Sequence, residues 1–315
     1  MKRESWTYFS RLFIALILLT MLAACSSESD SGGDSGGKLK VVATTGQITD
    51  ALLNIGGDAI DLTGLFGPGV DPHLYVPTEG DVTTLAQANA IFYGGLHLEA
   101  QMTRAMEEMS KRGITVVSIG DNLPSERLLN WEANTPYDPH IWNDPQLWKM
   151  GVELMRDTLI ERDSDNAELY RTNTDTYLAE IDETDQYVQE QIARIPDDKR
   201  VMITAHDAFG YFARTYGLEV RGLQGISTES EASTAEVQEL ASLIVERQIP
   251  AIFVETSVPP RTIEAVQAAV QAQGFQVEIG GELFSDALGN PGTPEGTYPG
   301  MLRHNAKTLA DALSK

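Results

Sequence analysis

The sequence predicts an α/β protein with two Rossmann-like lobes, each a mostly parallel sheet with flanking helices, joined by one long rigid backbone helix. Three observations predict this class. Short β-branched runs alternate with helical stretches, which is typical of βαβ units. The alternation occurs twice, first in residues 39–165 and again in residues 197–315. A single long helical pattern over residues 166–196 separates the two sets.

Residues 1–24 have the pattern of a bacterial export signal. Basic residues precede an apolar stretch over residues 12–24, which is shorter than the roughly 20 residues that a membrane-spanning helix needs. The stretch ends in small residues directly before Cys25, and this arrangement resembles the lipobox of bacterial lipoproteins. We therefore predict that cleavage leaves Cys25 as a lipidated N-terminus. The alternative is an ordinary secreted protein with a cysteine at this position by chance.

Residues 25–38 are predicted to be the lipidated cysteine followed by a flexible tether. The segment is too polar and too rich in glycine to pack into a core, and it suits a link that holds a domain away from a membrane. The beginning of a phosphate-binding loop pattern occurs in residues 32–38, but it precedes a strand instead of a helix, so we interpret it as part of the tether.

Composition excludes several classes of protein. The chain has 23 Lys and Arg against 46 Asp and Glu, which gives 23 − 46 = −23, so nucleic acid is excluded as a partner. Lipid, and not surface charge, must therefore hold the protein at a membrane. The single cysteine excludes an intrachain disulfide and a zinc site built from several thiolates.

The first lobe is predicted to span residues 39–165. A helix is expected at residues 144–162, because Asn143 or Asp144 can cap it and Pro145 suits its first turn. Strands are predicted at residues 40–44, 60–66, 90–93 and 115–119.

The linking helix and the second lobe follow. Apolar residues recur at helical intervals over residues 166–195, and Pro196 ends the pattern. This pattern favours a stiff connection over a loose linker; the alternative is a helix packed inside one large domain. In residues 197–315, strands are predicted at residues 200–205, 218–223, 251–255 and 275–279, and helices at residues 232–248 and 261–273.

Two of the five histidines lie in the same tripeptide, Asp-Pro-His. In each case the proline stiffens the loop before His73 or His140, and an acidic residue, Asp71 or Asp138, is close enough to orient the ligand. Each of the two tripeptides lies in a loop that follows a predicted strand, His73 after the strand at 60–66 and His140 after the strand at 115–119. These two histidines are therefore candidate metal ligands.

A third histidine and a carboxylate complete the candidate site. His206 directly follows a predicted strand, and ligands of open α/β sheets bind beyond the carboxyl ends of the strands. A loop near residues 280–286 supplies carboxylates at the corresponding edge of the second lobe. Three imidazoles and one carboxylate suit a first-row divalent metal ion, but the chemistry alone leaves Asp286, Glu282 and Glu255 open as the fourth ligand.

Neither the remaining two histidines nor a search for catalytic motifs indicates a second functional site. His97 is expected at the start of a helix near Leu98, and His304 on a C-terminal helix, so both are interpreted as structural or exposed. The chain contains no His-Glu-x-x-His pattern and no Gly-x-Ser-x-Gly pattern. We therefore expect that the protein is not an enzyme.

Several motifs together resemble the lipoprotein, metal-binding receptors of bacterial ABC importers for zinc and manganese. The likeness covers nearly the whole chain after the signal. It is carried by Asp71-Pro72-His73, Asp138-Pro139-His140-Ile141-Trp142, Thr204-Ala205-His206-Asp207-Ala208-Phe209, Gly225-Ile226-Ser227-Thr228-Glu229 and Gly280-Gly281-Glu282-Leu283-Phe284-Ser285-Asp286.

The resemblance implies one metal ion held between two lobes by His73, His140, His206 and Asp286, which selects Asp286 over Glu282. Asp207 joins Asp71 and Asp138 as a carboxylate adjacent to a ligand. The implied protein is a monomer, lipid-anchored on the extracytoplasmic face of the cell membrane. It delivers its ion to a membrane permease without covalent chemistry.

The third ligand position bears on the choice of metal. Manganese-dedicated members of the family usually have Glu there, whereas this chain has His206, as zinc members and the treponemal His-His-His-Asp type do. Three imidazoles also favour zinc in intrinsic affinity. We therefore expect Zn²⁺ in preference to Mn²⁺. The alternative functions are a secreted zinc-dependent hydrolase and a siderophore or corrinoid receptor of similar shape.

Overall fold

The structure is a computed structural model that describes residues 37–131 and 137–314. The predicted signal peptide, Cys25 and nearly all of the tether lie outside the described residues. The predicted domain boundaries after the tether, 39–165, 166–196 and 197–315, also stay predictions.

The first lobe is built on a four-stranded, fully parallel sheet. The strands are β1 (Leu39–Ala43), β2 (Ile60–Gly64), β3 (Ala90–Tyr93) and β4 (Thr115–Ser118), and the connecting helices are α1 (Gly46–Gly56), α2 (Glu79–Ala86) and α3 (Thr103–Lys111). The strand order is β2-β1-β3-β4. Strand β1 pairs with β2 on one side and with β3 on the other, so that Val41 lies opposite Leu62 and Ala90.

Two helices follow this sheet. Helix α4 (Pro145–Arg162) begins as predicted, since the side chain of Asp144 accepts hydrogen bonds from the amides of Gln146 and Leu147. Helix α5 (Ala167–Ile192) has 26 residues and is therefore about 39 Å long at 1.5 Å per residue. It packs against α1, α4 and the C-terminal helix. The helix that joins the lobes is thus held along its length.

The second lobe contains two pairs of parallel strands. The pairs are β5 (Val201–His206) with β6 (Glu219–Gln224), and β7 (Ala251–Glu255) with β8 (Glu278–Leu283). Strand β5 of the first pair lies beside β7 of the second. The helices are α6 (Gly210–Tyr216), α7 (Thr234–Arg247), α8 (Arg261–Ala272) and α9 (Tyr298–Leu313). The predicted fold class of parallel sheets with flanking helices is confirmed.

Strand β8 begins and ends later than the sequence predicts. The sequence predicts a strand over residues 275–279 and a loop near residues 280–286, whereas β8 spans Glu278–Leu283. In the structure both glycines at the start of that expected loop lie inside the strand. A Cβ added at Gly280 would lie 2.7 Å from the ring of Phe253 and 2.8 Å from Ala312. Close packing of α9 and β7 on the strand therefore requires glycine here.

The helix expected to begin near Leu98 begins later, and His97 is not part of it. Leu96 and His97 adopt left-handed φ angles of 52° and 68°, and a 3-10 helix (Ala100–Met102) leads into α3 at Thr103. The reason is Glu99, whose buried carboxylate accepts hydrogen bonds from the amides of Gly94 and Gly95 at 2.8 and 3.1 Å. This side chain binds the chain into a turn that a helix would not permit.

Candidate metal centre

Four buried side chains converge where loops of the two lobes meet. His140 and His206 are fully buried, and His73 and Asp286 are 2% exposed. Each offers one ligand atom, and these atoms all lie within 4.8 Å of one another. His73 follows β2, His140 follows β4, His206 ends β5 and Asp286 follows β8. Parallel strands of both lobes thus direct their carboxyl ends toward one point.

The short distances in the cluster all involve the atoms that would face an ion. His140 Nε2 lies 3.3 Å from His73 Nε2 and 3.3 Å from Asp286 Oδ1. His206 Nε2 lies 3.2 Å from Asp286 Oδ2. Yet His206 Nε2 and Asp286 Oδ1 are buried without a hydrogen-bond partner. Buried polar atoms are normally satisfied, and a cation at the centre would satisfy both.

His140 is oriented by a carboxylate within its own tripeptide. Asp138 Oδ1 lies 2.7 Å from His140 Nδ1 and also accepts a hydrogen bond from the His140 amide at 2.9 Å. The side chain of Asp138 is itself buried. Because Nδ1 is engaged in this way, Nε2 is left to face the centre, which is the usual arrangement of a metal-binding histidine.

His206 has the same arrangement with a residue that is remote in sequence. Glu255 Oε2 lies 2.6 Å from His206 Nδ1, and Glu255 Oε1 accepts from the His206 amide at 2.9 Å. Sequence reasoning considered Glu255 only as a fourth ligand, and it missed this contact. The available signal was its position at the end of β7, because neighbouring parallel strands end at the same edge.

Asp71 and Asp207 contact the cluster differently from Asp138. Asp71 Oδ1 accepts from the His73 amide at 2.9 Å, and Asp71 Oδ2 accepts from the Thr228 hydroxyl at 2.6 Å. Asp207 Oδ1 has no hydrogen-bond partner among the described residues, while its amide donates to the Gly225 carbonyl. It is Glu255, and not Asp207, that pairs with the His206 ring.

Asp286 is positioned by contacts that reach the first lobe. Ser257 Oγ donates to Asp286 Oδ2 at 3.3 Å and lies 2.9 Å from Ser285 Oγ. The Ser285 carbonyl accepts from Trp142 Nε1 at 2.9 Å. Trp142 follows His140 by two residues, so one buried contact links the loops that carry two of the four side chains.

The electrostatics of the cluster favour positive charge at its centre. Burial lowers the pKa of His73 to about 3, so its imidazole is neutral at neutral pH. Burial also opposes protonation of His140, but the nearby carboxylates of Asp138 and Asp286 outweigh it and raise the pKa of His140 to about 9. For Asp286, the two neighbouring imidazoles outweigh burial and hold the pKa of the carboxyl well below its usual range.

The other candidates lie away from this cluster. Glu282 is an exposed residue of β8, and its carbonyl lies 3.0 Å from His304 Nε2 on α9. His97 lines a separate small cavity beside Asp121. Within residues 37–131 and 137–314, His73, His140, His206 and Asp286 form the one group of this kind.

The donor set fits a bare divalent transition metal ion. Three imidazole nitrogens with one carboxylate suit zinc, and the carboxylate can bind through two oxygens to accommodate other first-row ions. The ligand atoms are too close together to enclose a siderophore or corrinoid, which requires a roomy pocket.

This fold and this site define a two-lobe solute-binding protein with a buried centre for a metal ion. Residues 41–312 match the family described as ZnuA, zinc-uptake complex component A, periplasmic. The chain belongs to this family, so the resemblance found in the sequence is confirmed.

Individual relatives align over almost the full chain. The zinc-binding protein TroA of Treponema pallidum (strain Nichols) is 45% identical over 303 residues, which cover 96% of this chain and 97% of that protein. The manganese-binding lipoprotein MntA of Bacillus subtilis (strain 168) is 40% identical over 301 residues, covering 95% and 98%. The solved structure of periplasmic TroA from Treponema pallidum has a TM-score of 0.87 and 46% identity, covering 89% of this chain and 100% of that one. These matches give no support to the hydrolase alternative.

Proposed function

We propose that this protein captures Zn²⁺ or Mn²⁺ outside the cell membrane and delivers the ion to the permease of an ABC importer. The observation that carries the proposal is the convergence of four buried donor atoms within 4.8 Å. Membership of a zinc-uptake family and the names of the relatives, which include zinc- and manganese-binding proteins, support it. The ion is the substrate and is carried without covalent change.

In this proposal His73, His140, His206 and Asp286 bind the ion. Asp138 and Glu255 hold the rings of His140 and His206 so that their Nε2 atoms face it, while Asp71 holds the loop of His73. Partner carboxylates of this kind also make the imidazoles stronger ligands.

Zinc is the favoured substrate. First-row divalent ions bind nitrogen donors more tightly toward the end of the series, so three imidazoles favour zinc over manganese. Of the two relatives described above, one is named as a zinc-binding protein and the other as a manganese-binding lipoprotein, so their names do not favour either metal. The proposed preference therefore rests on the donor set.

The membrane attachment is part of the same proposal. Residues 1–24 act as the signal peptide, Cys25 carries the lipid, and residues 25–38 form the tether of a monomer. Relatives named as lipoproteins support this arrangement. In the described part of the chain, no helix has the length and apolar character needed to cross a membrane.

Metal competition tests the proposal directly. The protein is stripped with a chelator and offered Zn²⁺ and Mn²⁺ together, and the bound metals are counted by elemental analysis. We expect one equivalent of zinc that manganese does not displace. His206→Ala should lose it, whereas His304→Ala, a histidine outside the cluster, should retain it. Equal metal content in the two variants would refute the site.

A further inference from the structure

The buried centre cannot exchange an ion with solvent unless part of its cover moves. Its four ligands are no more than 2% exposed. The contacts between the lobes differ greatly from one side of the centre to the other, and this difference indicates which part moves.

On the inner side, the lobes are joined by buried hydrogen bonds to backbone carbonyls. Tyr211 donates to the Asp138 carbonyl at 2.8 Å, and Asn143 donates to the Ala208 carbonyl at 2.9 Å. Trp142 adds its bond to Ser285. Trp142 and Tyr211 belong to the large hydrophobic core and Asn143 is fully buried, so breaking these hydrogen bonds would expose buried apolar surface and leave buried polar groups unpaired.

On the other side, a short loop of the second lobe, residues 225–233, contacts the loop that carries His73, and we call it the latch loop. Two side-chain hydrogen bonds join it to the first lobe in the described part of the chain. Thr228 Oγ1 donates to Asp71 Oδ2 at 2.6 Å. Gln101 Nε2 donates to Glu229 Oε1 at 3.4 Å, and this second hydrogen bond is exposed to solvent. The loop is also held within the second lobe, since Gln224 donates to the Ser230 carbonyl. The contacts of the latch loop with the first lobe are thus fewer and more exposed than those on the inner side.

A cavity of about 530 Å³ lies against this loop. Asp71 and Thr228 both line it, so their hydrogen bond forms part of its wall. The carboxylates of Glu229 and Glu231 also line the cavity and outnumber the one guanidinium there, that of Arg261. An acidic cleft of this kind raises the local concentration of cations.

Building on the proposed function, we propose that Thr228 is a positioning residue that controls how fast the ion enters and leaves through this cavity. Its hydroxyl holds the carboxylate of Asp71, whose other oxygen binds the amide of His73. The latch is thus connected to a ligand by two consecutive hydrogen bonds. When it opens, the loop of His73 is released on the side that faces the cavity.

Rates of zinc exchange test this role. Zinc-loaded protein is mixed with an excess of a fluorescent zinc chelator in a stopped-flow instrument, and association is followed separately. For Thr228→Val, which keeps the shape and removes the donor, we expect both rates to rise about tenfold, since hydrogen bonds to charged groups contribute enough for that factor. The equilibrium affinity should then change less than about threefold, because a gate affects both directions.

Two further variants separate the latch from a general structural effect. Thr228→Ser keeps the hydroxyl and should exchange zinc at the wild-type rate. Thr234→Val makes the same substitution at an exposed position on α7 and should leave both rates unchanged. The proposal is overturned if Thr228→Val releases zinc at the wild-type rate. It is also overturned if the zinc affinity of Thr228→Val falls by the same factor as its release rate rises, or if Thr228→Ser releases zinc as fast as Thr228→Val. Wild-type protein that takes up no zinc would instead refute the proposed function.

Discussion

The carboxylate of Glu255 holds His206 at two points, with Oε2 2.6 Å from the ring Nδ1 and Oε1 accepting from the backbone amide at 2.9 Å. Both residues end strands of the second lobe, and both are at most 1% exposed. The pair fixes the ring so that Nε2 faces the centre. It also supplies negative charge next to the proposed ion.

Substitution of Glu255 by Gln should weaken zinc binding about 10- to 100-fold, the usual effect of removing a carboxylate behind a metal-binding histidine. An amide can still accept from the His206 backbone, so the fold should persist. Competition with a chelator of known affinity gives the measurement. Glu282→Gln, at an exposed position of β8, is the matched control. Equal affinities in the two variants would contradict the role of Glu255.

The contact between His206 and Glu255 also shows where sequence reasoning ends. Alternating strands and helices predict which segments end near the site, and the positions of His73, His140 and His206 after strands follow from that alone. The order of strands in the second lobe, with β5 beside β7, cannot be predicted from the alternation of strands and helices. This arrangement brings Glu255 to the imidazole of His206, although the two residues are 49 positions apart in the sequence. The contact of Thr228 with Asp71, 157 positions apart, depends on tertiary structure in the same way.

The last strand shows the same limit of prediction from sequence. The sequence predicts that the last strand ends at residue 279, but Gly280 lies inside β8, where Phe253 and Ala312 leave no room for a side chain. Local preference was overridden by packing. The helix caps, by contrast, depend on residues close in sequence, and the cap of α4, Asp144, is one of the two residues that the sequence offers for it.

Substitution of His206 by Glu should shift the site toward manganese. An oxygen donor suits manganese better than an imidazole does, so the affinity for zinc should fall by at least about tenfold and the ratio of bound manganese to zinc should rise. The new carboxylate would also lie beside Glu255, and their repulsion should weaken binding of both metals. Elemental analysis after exposure to equal concentrations of both ions measures the ratio. An unchanged ratio would show that the third ligand does not determine selectivity.

Gly222 on β6 is predicted to be essential for the geometry of the site. A Cβ there would lie 2.4 Å from the Asp207 amide nitrogen and 2.6 Å from the His206 carbonyl carbon, both backbone atoms that cannot rotate away. Gly222→Ala should therefore lower the free energy of unfolding by about 1–3 kcal/mol and weaken zinc binding by displacing His206. Denaturant unfolding and metal titration measure the two effects. Gly67→Ala is the control, because nothing lies within 4 Å of its added Cβ; equal stability of the two variants would argue against the close approach.

Zinc should stabilise the folded protein, because the four ligands converge only in the native structure. At a free zinc concentration of about 100 times the dissociation constant, the free energy of unfolding should rise by about 2.7 kcal/mol. In a protein of this size that corresponds to an increase in Tm of roughly 4–5 °C over the protein in excess chelator. Scanning calorimetry at several zinc concentrations measures the increase.

The dependence on concentration is the critical part of this measurement. Each tenfold rise in free zinc above saturation should add about 1.4 kcal/mol, as linkage requires for one ion bound to the native state alone. The response of His206→Ala should begin only at a higher free zinc concentration, because the variant lacks one of the four donors and binds zinc more weakly, and His304→Ala should respond as the wild type does. If the Tm of His206→Ala begins to rise at the same zinc concentration as that of the wild type, the stabilising ion binds elsewhere, and the cluster is not the zinc site.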